Sequence, residues 1–139
     1  MPFAAHGDIR IDAEFPLLFT YVQGPWNIEL VRQWAEQAIP HALGFAARGP
    51  WVGGAVIERS MLCTPDALEL HRGVATRMVR QLGAVAAVHV ALPGTEGADV
   101  MHGVFKAMFS GLCPYSQFKD PEEARRWSLQ QVAAHQPCH

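Results

Sequence analysis

The fold this sequence predicts is a single α/β domain built on a mixed, mostly parallel five-stranded sheet with four helices. Three observations predict it. Apolar stretches of strand length alternate with amphipathic stretches of helix length along nearly the whole chain. The 139 residues are the size of one domain, able to bury a continuous core without disulfides or metal. No internal repeat, low-complexity tract or long linker divides them. The expected order is β-β-α-β-α-β-α-β-α, with right-handed crossovers after the opening pair of strands.

From Asp8 to Ala13, Ile9 and Ile11 alternate with Asp8, Arg10 and Asp12, as in a strand with one wet face. Leu17 to Gln23 follows, rich in β-formers such as Phe19, Thr20, Tyr21 and Val22. The short connection between them predicts an antiparallel hairpin whose first strand lies at an edge. Gly24 and Pro25 end it. Asn27 is placed to cap a helix on which Ile28, Val31, Ala35, Ala38 and Ala42 recur at helical spacing, with Glu29 favourable in the first turn. Pro40 is expected to kink or end that helix between Ile39 and Gly44, because it lacks an N–H and clashes one turn back.

Trp51 to Ile57 is a nearly continuous apolar run, as in a strand covered on both faces, and Gly53 and Gly54 mark a bulge or close backbone approach. Thr64 and Pro65 supply the cap and first residue of a second helix, with Asp66 and Glu69 in its early turns and Gly83 closing it. Ala84 to Leu92 predicts a central strand ended by Pro93 and Gly94. A third helix spans about Ala98 to Ser110 and stops at Gly111. Tyr115 to Lys119 is one more short strand. Asp120, Pro121 and Glu123 then open the last helix with a cap, a proline at the first position and a reciprocal glutamate. The ordered core is expected over residues 8–129, and 130–139 as helix end and tail.

Half the residues are hydrophobic and 17% are charged, which excludes a disordered chain. The formal net charge is -2 and the basic residues are scattered, so nucleic acid is not an expected partner. Arg72, Arg77 and Arg80 form the best basic stripe, but they lie late in a helix, where cations complement the dipole. Met1 to Gly7 lacks the cationic start and apolar core of a secretion signal, and no apolar run approaches the ~20 residues of a membrane span. Cys63, Cys113 and Cys138 are odd in number and lack CxxC spacing, as expected of free thiols in a reducing compartment. A soluble, cytoplasmic protein is the expectation.

No catalytic constellation stands out. Thr64 is most simply an N-cap, although the unpaired donors of a helix start also suit it to hold a phosphate or meet a partner, and Ser60 is the neighbouring hydroxyl. His71 shares a helix face with Leu68, Ala75, Met78 and Leu82, which turns its imidazole toward the sheet. His89 shares a strand face with Val85, Ala87 and Ala91, and these small neighbours leave room that Trp34, Phe105 or a ligand would fill. Should both histidines face one cavity, ligand binding becomes the leading idea. Cys63 is the third pocket candidate. A cysteine enzyme would need it in contact with a histidine. No HExxH or paired CxxC motif predicts a metal site, and no glycine-rich strand-to-helix loop predicts a nucleotide cofactor, so none is expected. The four tryptophans are read as core and rim packing.

Three segments resemble the SpoIIAA-like branch of the STAS family: Gly24-Pro25-Trp26-Asn27-Ile28-Glu29, Thr64-Pro65-Asp66-Ala67-Leu68-Glu69 and Phe118 to Trp127. The likeness runs from about Asp8 to Leu129 and implies the STAS fold. In the anti-sigma-factor antagonists of that family a phosphorylated serine opens the helix after the third strand, within Asp-Ser-Ser/Thr-Gly. Thr64 falls on that position, while Cys63 replaces the aspartate and Pro65 and Asp66 replace the residues that follow. The resemblance implies a non-enzymatic regulatory module that binds a protein partner around Ser60, Thr64 and Asp66. The alternative is a small apolar ligand or lipid held between sheet and helices, with His71, His89 and Cys63 as pocket residues. A second copy of the chain, joined through an edge strand, is a further candidate partner.

Overall fold

A computed structural model describes residues 9–135. Within them the strands are β1 (Ile9–Glu14), β2 (Leu17–Gln23), β3 (Trp51–Glu58), β4 (Ala84–Ala91) and β5 (Tyr115–Phe118). The helices are α1 (Ile28–Ala46), α2 (Pro65–Arg80), α3 (Ala98–Phe109) and α4 (Pro121–His135). The predicted order and fold class are both realised. The last helix runs further than the expected core, through residues 130–135, and the predicted tail beyond it lies outside the described residues.

The strands lie side by side in chain order. β1 runs antiparallel to β2, with Ile9 opposite Val22, and every later neighbour is parallel. Because each parallel crossover steps in the same direction, the right-handed rule places α1, α2 and α3 on one face. Leu30, Val31, Ala67, Met101 and Phe105 accordingly pack there against Val22, Ala55 and Ile57. α4 covers the other face, where Ala124 and Val132 meet Leu17, Phe19, Val56 and Val88.

Asn27 caps α1 as expected, its Oδ1 accepting the Leu30 N–H at 2.8 Å. Pro40 does not end the helix, which continues to Ala46. Pro40 and Glu36, the residue one turn before it, are both exposed, so the carbonyl that loses its intrahelical donor lies on the side open to water.

The double glycine of β3 serves two purposes. Gly54 faces α4, and a Cβ there would lie 2.9 Å from the Val88 carbonyl oxygen, the close approach that the sequence suggested. Gly53 faces α1 and α2, where a Cβ would meet only the edge of the Trp51 ring, at 3.3 Å. A register shift adjoins them: Trp51 pairs with Ala84 but Val52 with Ala86. The extra residue, Val85, turns to the α4 side, so it does not share the His89 face as alternation alone predicted. Ala87, His89 and Ala91 remain on the α1–α3 side.

Candidate binding cavity and the loop beside it

Small residues leave space between the sheet and the helices. Gly53, Ala55 and Ala87 on the strands and Ala75 on α2 border a cavity of about 50 Å³ lying against α1 and α2. Both predicted histidines line it. His71 belongs to the buried stripe Ala67, His71, Ala75 and Met78 of α2, and His89 projects from β4, so the ring centroids lie 6.1 Å apart. Phe105 packs edge-on at 4.6 Å from the His89 ring and 5.3 Å from His71, while Trp34 lies 4.9 Å from His71. The predicted filling of the space beside His89 is thus partial: Phe105 occupies one side and the cavity remains on another.

His89 is anchored. Its Nδ1 is 2.8 Å from the Tyr115 hydroxyl, which donates to Gln117 Oε1 at 3.4 Å, and Gln117 Nε2 donates to the Ala98 carbonyl at 3.2 Å. At 2.8 Å the Tyr115–His89 contact is the shortest of the three, and which of its two atoms carries the proton follows the tautomer of the ring. His71 is different. Its Nδ1 is buried without a hydrogen-bond partner, and so is Nε1 of Trp26, which also borders the cavity. Burial pushes the His71 pKa down to about 4, and burial together with the neighbouring His71 pushes His89 down to about 3. Both are neutral at pH 7, and no Asp, Glu, Lys or Arg lines the cavity.

The loop from Ser60 to Asp66 carries the other predicted residues, and it distributes them differently from the expectation. Ser60 is buried, 4% exposed, rather than presented at the surface beside Thr64 and Asp66, and its Oγ accepts the Leu62 N–H. Thr64 occupies the N-cap position of α2 without making the capping bond. Its hydroxyl instead donates to Asp66 Oδ1 at 2.6 Å, and the same oxygen accepts the Ala67 N–H at 2.8 Å. The short side chain of Asp66 thus supplies the acceptor that the threonine was expected to be. The Thr64 hydroxyl foremost, and then the Ala67 N–H, hold the Asp66 carboxyl below its usual range. Cys63 does not line the cavity. It is half-buried under the loop, and burial, with the Asp66 charge adding, pushes its thiol up to about 11. Leu62 is left 39% exposed.

Two residues of the site were not singled out as functional from the sequence. Tyr115 is one, and its signal was available: alternation along β5 puts Tyr115 and Gln117 on one face, beside the central strand that carries His89. Trp26 is the other. The chain past β2 stays extended, and Trp26 forms an isolated parallel bridge to Cys63. Among the described residues no group of three His, Cys, Asp or Glu side chains is placed to hold a metal ion, and no helix is long and apolar enough to cross a membrane.

No family model matches the chain, and no curated protein matches it in sequence. The fold does match a solved structure, the crystal structure of an anti-sigma factor antagonist from Mycobacterium paratuberculosis. The TM-score is 0.54 at 12% identity, over 93% of this chain and 99% of that one. The fold is therefore STAS-like, as the three segments at the helix starts and chain end implied. At this identity the likeness is one of fold alone.

Proposed function

We propose that the chain is a non-enzymatic, STAS-like binding module whose principal site is the cavity against α1 and α2, and that it takes a small, uncharged, largely apolar ligand carrying a hydrogen-bond acceptor. The observation that carries this is a pair of partnerless buried atoms on two residues of the cavity lining, Trp26 Nε1 and His71 Nδ1, each sealed from the space in the arrangement described. An unsatisfied buried polar group costs about 1–3 kcal/mol, and an indole N–H can only donate. A ligand oxygen that meets it, once the indole turns toward the space, removes that cost. An ion is disfavoured, because the lining offers no counter-charge for one taken out of water. On a scale where one water needs ~10–15 Å³, about 50 Å³ suits a molecule of about four non-hydrogen atoms rather than a lipid chain. Met78, also in the lining, is an adaptable wall for something slightly larger.

The same geometry argues against catalysis. Both cavity imidazoles are far too acidic to act as bases near neutral pH, and the Cys63 thiol, pushed up to about 11, is a poor nucleophile. The binding proposal is checked by titrating ¹⁵N-labelled protein at pH 7 with acetone and with acetate, each of four non-hydrogen atoms. Acetone is expected to move the Trp26 indole N–H resonance saturably in the millimolar range, and acetate to leave it in place. No saturable shift with acetone, or an equal one with acetate, refutes the assignment.

The loop from Leu62 to Asp66 is a second candidate, as a docking surface for a protein partner. It presents an exposed leucine beside the exposed Thr64 and Asp66, on a fold that an anti-sigma factor antagonist also uses. Such a partner would read Thr64 unmodified, since a phosphate placed there would face the Asp66 carboxylate at hydrogen-bond range. Thr64→Glu imposes that repulsion. A partner that copurifies with the wild type under native extraction should be lost from this variant, and retention in full would remove the loop from consideration.

A further inference from the structure

We infer that Trp26 couples the cavity to the loop, so that a ligand in the cavity changes the conformation of Leu62–Thr64. The coupling presupposes the ligand site proposed above and adds a regulated surface to it.

Trp26 belongs to both places. Its side chain is 3% exposed, borders the cavity and packs at 6.3 Å against Trp34 and 6.1 Å against His71. Its backbone holds the loop: the Trp26 N–H donates to the Leu62 carbonyl at 2.8 Å, and the Thr64 N–H donates to the Trp26 carbonyl at 3.2 Å. There is little slack just before it. A Cβ on Gly24 would collide with the Ser60 carbonyl oxygen, and the Gly24 N–H donates to the Glu58 carbonyl at 3.1 Å. On its far side the loop is tied to the start of α3, where the Met61 N–H donates to the Glu96 carbonyl at 2.8 Å.

In the closed arrangement Nε1 is sealed from solvent as well as partnerless. A ligand acceptor therefore reaches the indole N–H only if the indole re-seats. Because Trp34 and His71 pack against the indole and limit its rotation, a displacement of the indole carries the Trp26 backbone with it and is passed to the two hydrogen bonds that fix Leu62 and Thr64. The ligand binds the re-seated arrangement better than the closed one, which is the differential affinity that a population shift requires. By reciprocity, a protein that clasps the loop in the re-seated arrangement tightens ligand binding by the same factor.

Cys63, between the two hydrogen bonds, reports on the loop. The rate of N-ethylmaleimide labelling at each cysteine is read by peptide mass spectrometry with and without saturating acetone, alongside the indole N–H spectrum. Cys63 labelling is expected to accelerate about fivefold or more, the lower end of usual couplings, with the labelling rate of free glutathione in the same acetone unchanged as control. Thr64→Pro supplies the second arm. The Thr64 φ of -68° is one that proline adopts, so the substitution deletes the N–H given to Trp26 and sets a ring carbon against the Trp26 carbonyl, which breaks this tie while no side chain of the cavity lining is changed. Acetone should still shift the Trp34 indole N–H in this variant, while the acceleration at Cys63 falls to less than half. If acetone shifts no indole resonance in the wild type, the ligand site itself fails. If it shifts them while Cys63 labelling stays constant, or Thr64→Pro keeps the full acceleration, the site stands and the coupling is overturned.

Discussion

Lowering the pH from 7 to 4 should destabilise the protein by about 3 kcal/mol for each of His71 and His89, enough together to unfold a domain of ordinary stability. The sign follows from the direction of both shifts. The unfolded chain takes up a proton at each imidazole as the pH falls through 6.5, whereas the folded protein resists until about 4 at His71 and about 3 at His89. Between those limits the unfolded state holds up to two more protons, so stability is fully present above pH 6.5 and drains away below it. The physical cause is desolvation at both rings, with the charge of His71 adding to it at His89, and no carboxylate lines the cavity to accept the charge. Urea midpoints measured at half-unit pH steps should fall steeply from pH 6.5 to 4. His71→Gln should remove about half of that slope, because it deletes one of the two protons. A midpoint that stays level over this range would show that the rings are not buried neutral together.

How much of this was legible in the sequence varied with the kind of interaction. Every strand and helix was, because apolar periodicity and caps such as Asn27 act within one turn or one strand, and their signals lie close together in the chain. The inward turn of His71 was legible for the same reason. Pro40 misled because its penalty depends on where the freed carbonyl points, and an exposed carbonyl is satisfied by water. Val85 misled because the register shift beside Trp51 arises between two strands, and neither strand shows it alone. Thr64 has the composition of a cap, yet Asp66 two residues on competes for its hydroxyl, and which bond wins is decided by the loop that Trp26 and Glu96 hold in place. The meeting of His71 with His89 joins residues from α2 and β4, so the sequence could pose it only as a condition. Trp26 was the least legible. An indole whose N–H lacks a partner looks, in sequence, like any other tryptophan packed at a helix start.

The two glycines of β3 should respond in opposite ways to the same added methyl group, which tests the division of the sheet into a filled face and an open one. At Gly54 the new Cβ would stand 2.6 Å from Val88 Cγ1, 2.9 Å from the Val88 carbonyl oxygen and 3.0 Å from the Phe19 ring. The carbonyl belongs to the neighbouring parallel strand and cannot withdraw without breaking the β3–β4 ladder. Gly54→Ala is therefore expected to cost about 3 kcal/mol, at the upper end for overpacking a filled core. At Gly53 the nearest atom is Trp51 Cζ3 at 3.3 Å, and Trp51 itself borders the cavity, so its ring has space to yield a few tenths of an ångström. The alanine also restricts the unfolded chain, a gain of about 0.4–1 kcal/mol where the backbone tolerates it. Gly53→Ala should accordingly stay within about 1 kcal/mol of the wild type by urea denaturation. Its methyl also narrows the cavity, so acetone should bind this variant more weakly although the fold is intact. Equal losses at the two positions would mean that the α1–α2 face is packed as tightly as the α4 face, leaving no room for a ligand.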